Sequence, residues 1–148
     1  MTMEQFQQIL QKCNWPTRTE EPKTTLKEIE DMVGFALPSD YSMFIQKYFG
    51  YEEFIGKEYV RLWDVDELME QNLGYDIVDN LPMTIGIGGN GAGECIAIEM
   101  TSTNNYRIVL TPFIDLDKQN HIDIGSSFTD FLVRLDLSLI HIYTTKSL

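Results

Sequence analysis

A chain of 148 residues with 11 Lys and Arg against 23 Asp and Glu carries a formal charge of −12, and its 43% hydrophobic content is that of an ordinary globular protein. That balance excludes a basic nucleic-acid binder, because affinity for phosphate comes mainly from Lys and Arg. Fibrous and disordered classes are excluded as well, since Gly and Pro are scattered and large apolar residues run through the whole length. A chain of this size buries roughly two-thirds of its unfolded surface, enough for a core without disulfides or a structural metal, so residues 1–148 read as a single domain.

The N-terminus, MTMEQFQQIL, lacks a basic region followed by a long apolar stretch. No later window approaches the roughly 18 apolar residues of a membrane span. The expectation is a cytoplasmic protein with no membrane partner. Cys13 and Cys95 lie far apart without CxxC spacing, which offers neither a zinc site nor a redox motif and reads as two thiols in a reducing compartment. The histidines, His121 and His141, have no context that would activate either thiol for covalent catalysis.

Phe6, Ile9, Leu10 and Cys13 recur at helical spacing, predicting a helix over 3–13 that stops before Asn14-Trp15-Pro16. Thr17 to Lys23 is a polar loop. Thr25 with Glu28 forms a capping-box pattern for a second helix that Gly34 ends. Leu37-Pro38-Ser39-Asp40-Tyr41 opens a third, with Pro in its first turn and Gly50 as its stop. Phe54-Ile55 and Tyr59–Trp63 around Gly56-Lys57 predict a hairpin, after which Asp64 and Glu67 cap a short helix burying Val65, Leu68 and Met69. Strands are predicted at Met83–Ile87, Glu94–Met100, Tyr106–Thr111, and Phe113–Asp117 with His121–Ile124. Ser127 and Asp130 cap a last helix carrying Phe128, Phe131, Leu132 and Leu135, and residues 138–148 suit either a helix extension or a final strand. Helices preceding a run of strands place the chain in the α+β class. Tyr41, Phe44, Ile45, Phe128, Phe131 and Leu132 are its expected core over the sheet.

Gly86-Ile87-Gly88-Gly89-Asn90-Gly91 satisfies GxGxxG. The alternating run Glu94 to Met100 that follows is a strand, whereas a dinucleotide motif demands a helix there, and no Lys follows to make a P-loop. It reads as a structural glycine hairpin, and no cofactor is expected. Asp115, Asp117, His121 and Asp123 would share one face of a hairpin turning at Lys118-Gln119-Asn120, with Ile114, Leu116, Ile122 and Ile124 on the other. That face could hold a divalent cation for a hydrolase, but alternation of this kind is what any hairpin with one wet face shows. Between Arg61 and Arg107 the chain has no Lys or Arg, while Asp64, Asp66, Glu67, Glu70, Asp76, Asp79, Glu94 and Glu99 fall there. Such a surface either is simply solvated or captures a basic protein by electrostatic steering.

Taken together, Leu37-Pro38-Ser39-Asp40-Tyr41 with Phe44 and Phe49-Gly50, then Leu62 to Leu68, the run Ile85 to Glu94, and Ile124-Gly125-Ser126-Ser127-Phe128-Thr129-Asp130-Phe131-Leu132 resemble the SUKH superfamily. These are the immunity proteins related to yeast cell-wall-assembly regulators. The resemblance runs from about residue 24 to 135 in the family's order, with Phe49 where an Asn usually precedes the glycine. It implies a curved, mostly antiparallel sheet of five to six strands with helices packed on it, no enzymatic activity, and protection of a cell by binding a cognate toxin, often a nuclease. The alternative is a non-enzymatic binding module for a regulatory protein or small ligand, with the glycine hairpin and Trp63 at a pocket mouth. For a basic toxin, the charge pattern points to Asp64, Asp66, Glu67 and Glu70 beside the hairpin residues Asn90 and Glu94 as the contact surface.

Overall fold

The computed structural model describes residues 3–142. The first helix, α1 (Met3–Lys12), buries Phe6, Ile9 and Leu10 along one stripe, as their spacing requires. In α2 (Leu26–Val33) the predicted capping box forms: the Thr25 hydroxyl accepts the Glu28 amide at 3.1 Å while the Glu28 carboxylate accepts the Thr25 amide at 3.1 Å. Gly34 closes that helix with φ of 85°, a left-handed conformation that costs glycine least. Next comes α3 (Ser39–Lys47), with Pro38 as its extended N-cap.

Gly50 does not end α3 as expected. The helix stops at Lys47, where Tyr48 turns extended and bridges to Thr17. Gly50 is required for a different reason: a Cβ there would lie 2.1 Å from the backbone nitrogen of Asp64.

The predicted hairpin is β1 (Tyr51–Ile55) paired with β2 (Glu58–Leu62). A 3-10 turn over Val65–Glu67 leads into α4 (Leu68–Gly74), and a one-turn helix absent from the sequence reading, α5 (Ile77–Asn80), follows. Then β3 (Thr84–Gly89), β4 (Glu94–Ser102), β5 (Asn105–Pro112) and β6 (Ile122–Gly125) complete the sheet, and α6 (Phe128–Asp136) is the last helix described. The fold is α+β, with a curved six-stranded antiparallel sheet in the order β1-β2-β3-β4-β5-β6. Of the tail, residues 138–142 form neither helix nor strand, and the remainder of the unassigned stretch lies outside the described residues.

Side chains alternate along a strand. Ile98 pairs with Ile108, and Ile108 with Gly125, whose α-carbon lies against Phe131, so this face looks onto α6. The opposite face of β4 carries Cys95, and a Cβ added at Gly86 on the neighbouring strand would lie 3.2 Å from its Sγ and 2.6 Å from the Ile77 side chain of α5. Because helices cover both faces, Glu94 to Glu99 are all buried. The expected core assembles as predicted, with the Phe128 ring 5.3 Å from Tyr41 and 5.0 Å from Phe44.

The strand expected over Phe113–Asp117 is absent. β6 pairs with β5 directly, through Val109 with Asp123 and Leu110 with Ile122, and residues 113–121 form a loop containing a 3-10 turn at Lys118–Asn120. Ile114, placed on an apolar face by its alternation, is 97% exposed. Asp117 does not lie opposite His121. Its carboxylate caps the 3-10 turn by accepting the Gln119 amide at 3.0 Å, while His121 Nδ1 sits 3.3 Å from Glu99 Oε1. The premise of a four-group metal face is thereby overturned, and among the described residues no cluster of His, Cys, Asp and Glu is arranged to hold a metal ion.

Candidate interaction surface

Asp64 is the hub of the acidic segment. Its Oδ1 accepts the Gly50 amide at 2.8 Å and a guanidinium hydrogen bond from Arg18 at 2.8 Å, while Oδ2 accepts the Asp66 amide at 3.1 Å. Glu67 closes the predicted capping box by accepting the Asp64 amide at 3.1 Å. Asp66 in turn accepts the Lys23 and Thr24 amides at 3.0 and 2.8 Å. Burial pushes the Asp66 carboxyl up, but those amides and the Arg18 guanidinium outweigh it and hold the group below its ordinary value. The loop Thr17 to Lys23 is thus fastened to the 3-10 turn by acids that look free in sequence.

Arg18 is the residue that sequence reasoning missed. Its side chain is 6% exposed, it reaches Asp64 and, at 3.7 Å, Asp66, and its guanidinium lies 4.7 Å from the centroid of the Phe49 ring. A gap in Lys and Arg along the chain is therefore not a gap in space. Glu99 is answered in the same way by Arg107 at 2.8 Å and Lys118 at 3.5 Å. Among the described residues, Glu67, Glu70, Asp76 and Asp79 have no ion-pair partner, and all four belong to the continuous run from the 3-10 turn through α4 to α5.

The two hairpin residues of the predicted contact set are inside the protein. Asn90 is 2% and Glu94 4% exposed. Asn90 Oδ1 accepts the Ala92 and Glu94 amides at 2.8 and 3.2 Å, shaping the turn, and its Nδ2 donates to the Glu94 carboxylate and to the Ile142 carbonyl. Ile142 donates its own amide to Glu58 at 2.6 Å, so the tail is drawn against the turn from both sides of one residue. The acidic helix does adjoin this hairpin: Tyr75, at the C-terminal end of α4, and Gly89, Gly91 and Gly93 line one cavity. Asn72 fixes the helix there by donating to the Gly86 carbonyl at 2.9 Å and accepting its amide at 2.7 Å. Both cysteine thiols are pushed up by burial, Cys95 strongly, which opposes thiolate chemistry at either.

The model of the SMI1 / KNR4 family (SUKH-1) matches residues 22–134. The chain belongs to this family. No curated protein matches it. Membership supports a non-enzymatic immunity-protein role. In this chain the two motifs are tied directly, the Asp40 carboxylate of the LPSDY motif accepting both the amide and the hydroxyl of Thr129 in the closing motif, each at 2.8 Å. No helix among the described residues of this SUKH-1 domain is long and apolar enough to cross a membrane.

Proposed function

We propose that this SUKH-1 domain is an immunity protein that neutralises the toxin domain of a contact-dependent or secreted toxin, one with a basic surface and nuclease activity, by binding it without chemistry of its own. The family match over residues 22–134 carries the reading. The charge of −12 and the unpaired acids of the α4 and α5 segment support a basic partner. In this reading Asp64, Asp66, Glu67 and Glu70 form the contact edge, and Asn90 and Glu94 hold the neighbouring turn in shape. The protein works in the cytoplasm, where an incoming toxin must be met.

The decisive experiment is co-expression with the toxin encoded by the adjacent gene. Survival of cells that otherwise die supports the proposal, and death with both proteins well expressed refutes it. The acidic edge has its own signature. Exposed charge pairs individually contribute under about 1 kcal/mol and act chiefly on the rate of encounter. Asp66 and Glu67 also cap backbone amides, so neutralising Glu70, Asp76 and Asp79 together is the cleaner probe. Association should slow, most at low salt, with thermal stability nearly unchanged; an unaltered rate shows that the unpaired acids of the α4 and α5 segment do not steer the toxin.

A further inference from the structure

On the sheet face away from α6, three aromatic rings meet beside the glycine turn. Trp63 and Tyr75 lie nearly parallel with centroids 6.1 Å apart, Tyr75 and Phe113 stack at 4.3 Å, and Trp63 and Phe113 are 6.1 Å apart. They border a cavity of about 230 Å³. That is smaller than the roughly 300–1,000 Å³ of drug-sized sites, and suits a single ring system. Its wall includes backbone rather than side chains: a Cβ on Gly89 would come within 3.4 Å of the Phe113 ring, so glycine leaves open the space the rings enclose. Tyr75 is 44% exposed, which makes one ring face available at the rim.

Arg61 also lines this cavity, and it is exposed. Its guanidinium has no ion pair or hydrogen bond among the described residues, and the cross-strand Glu52 directly opposite on β1 does not pair with it. An unengaged guanidinium next to stacked rings attracts a carboxylate through paired N–H donors and repels a cation that the rings alone would favour. Trp, Tyr and Arg are also the residue types that dominate binding hot spots.

We infer that this cavity is a binding site for a planar aromatic ring bearing a carboxylate, the ring lying against Trp63, Tyr75 and Phe113 and the carboxylate on Arg61. The site does not depend on the immunity reading, because it uses none of the acids proposed to meet a toxin. The same chemistry can arrive as a free aromatic acid or as an aromatic side chain of a partner protein next to an acidic one.

The test is calorimetric titration of the full chain with indole-3-acetate, with tryptamine as the same ring carrying an amine, and with acetyl-Trp-Glu-amide as the peptide source. Indole-3-acetate should bind saturably below about 1 mM, well within what a ligand of its size can reach. Tryptamine should bind at least about tenfold more weakly, and R61Q and Y75A should each weaken indole-3-acetate by about tenfold. Arg61 is exposed and unengaged, so R61Q should melt like the parent, whereas Y75A gives up its ring contacts with Trp63 and Phe113 and should melt slightly lower, which leaves R61Q as the variant that reads binding alone. Tighter binding of the acetylated dipeptide than of the free acid assigns the site to a partner's side chains, and the reverse order assigns it to a small molecule. Equal binding of tryptamine, indifference to R61Q, or no saturable binding of either acid up to 10-fold above that limit overturns the inference.

Discussion

Asp40 holds the start of α6 from the start of α3, its carboxylate accepting the amide and the hydroxyl of Thr129, 89 residues later in the chain, each at 2.8 Å. Ser127 satisfies the Asp130 amide at 2.9 Å, so the first turn of α6 takes its acceptors from two different segments. Hydrogen bonds to a charged group contribute about 1.5–3 kcal/mol each. D40A should therefore lower stability by about 2–4 kcal/mol, with T129V, which spares the backbone bond, losing less. Equilibrium urea unfolding measures both. A D40A midpoint equal to the parent's would show that water replaces the carboxylate without cost.

Phe128 contacts Phe6, Tyr41 and Phe44 at ring separations of 6.2, 5.3 and 5.0 Å, and it has no exposed surface. Truncation to Ala leaves a cavity that rings on α1 and α3 cannot fill. F128A should cost about 3–5 kcal/mol and lower Tm by roughly 10 °C or more. Calorimetry reads it directly, and an unchanged Tm would contradict the packing of α6 on α3.

How much of this was legible in the sequence follows from the range of each interaction. The boxes at Thr25 with Glu28 and Asp64 with Glu67 join residues three apart, so spacing alone identified them. The strand expected at Phe113–Asp117 failed because period-two alternation is also available to a loop that leaves Ile114 in water. The acidic edge was half legible: Glu70, Asp76 and Asp79 have no ion-pair partner among the described residues, whereas Asp64 and Asp66 are met by Arg18, which no local pattern ties to them. The Trp63, Tyr75 and Phe113 cluster joins three segments, and only Trp63 beside the hairpin had a signal in the chain.

Gly50 shows the same division. Its position after a helical stretch suggested a cap, but the tight approach of Asp64 is what excludes a side chain, since a Cβ would lie 2.1 Å from a backbone nitrogen that cannot swing away. G50A should push the Asp64 turn outward and break the Gly50 amide bond to the Asp64 carboxylate, 2.8 Å in the parent. Loss of more than about 2 kcal/mol is expected, a range reached by overpacking. Substitution at Gly34, a cap with open space around it, should cost less. A reversed order in urea midpoints would contradict this account.

Glu99 makes stability depend on acid. Burial pushes its carboxyl up, but the Arg107 guanidinium and the His121 ring outweigh burial and hold it below the ordinary 4.5. A group depressed in the folded state binds protons less readily than in the unfolded chain. Its contribution is complete above about pH 4.5 and is lost as pH falls through the lower folded value. Asp66, also depressed, adds to the same limb from its ordinary 3.8. Tm should fall steeply below about pH 4.5, and E99Q should flatten that fall. Parallel curves for E99Q and the parent would remove Glu99 from the explanation.

Asn72 does the work of a missing strand neighbour. β2 pairs with β3 only at Gly88 and Gly89, so the Gly86 amide and carbonyl have no partner from β2, and a bulge between Gly86 and Gly88 displaces them further. The buried Asn72 amide answers both, accepting at 2.7 Å and donating at 2.9 Å, and a second donation to the Leu68 carbonyl at 2.8 Å keeps it aligned along α4. N72A strands two buried backbone groups, each costing about 1–3 kcal/mol when unsatisfied. N72D keeps the acceptor but turns the donor into a second acceptor facing the Gly86 carbonyl, and it buries a charge. N72D should therefore be the less stable of the two, and its deficit should shrink as pH falls and the carboxyl takes up a proton that can donate to that carbonyl. Urea midpoints measured from pH 4 to pH 8 separate the variants. A pH-independent difference between N72A and N72D would mean that the residue at position 72 does not face Gly86 in solution.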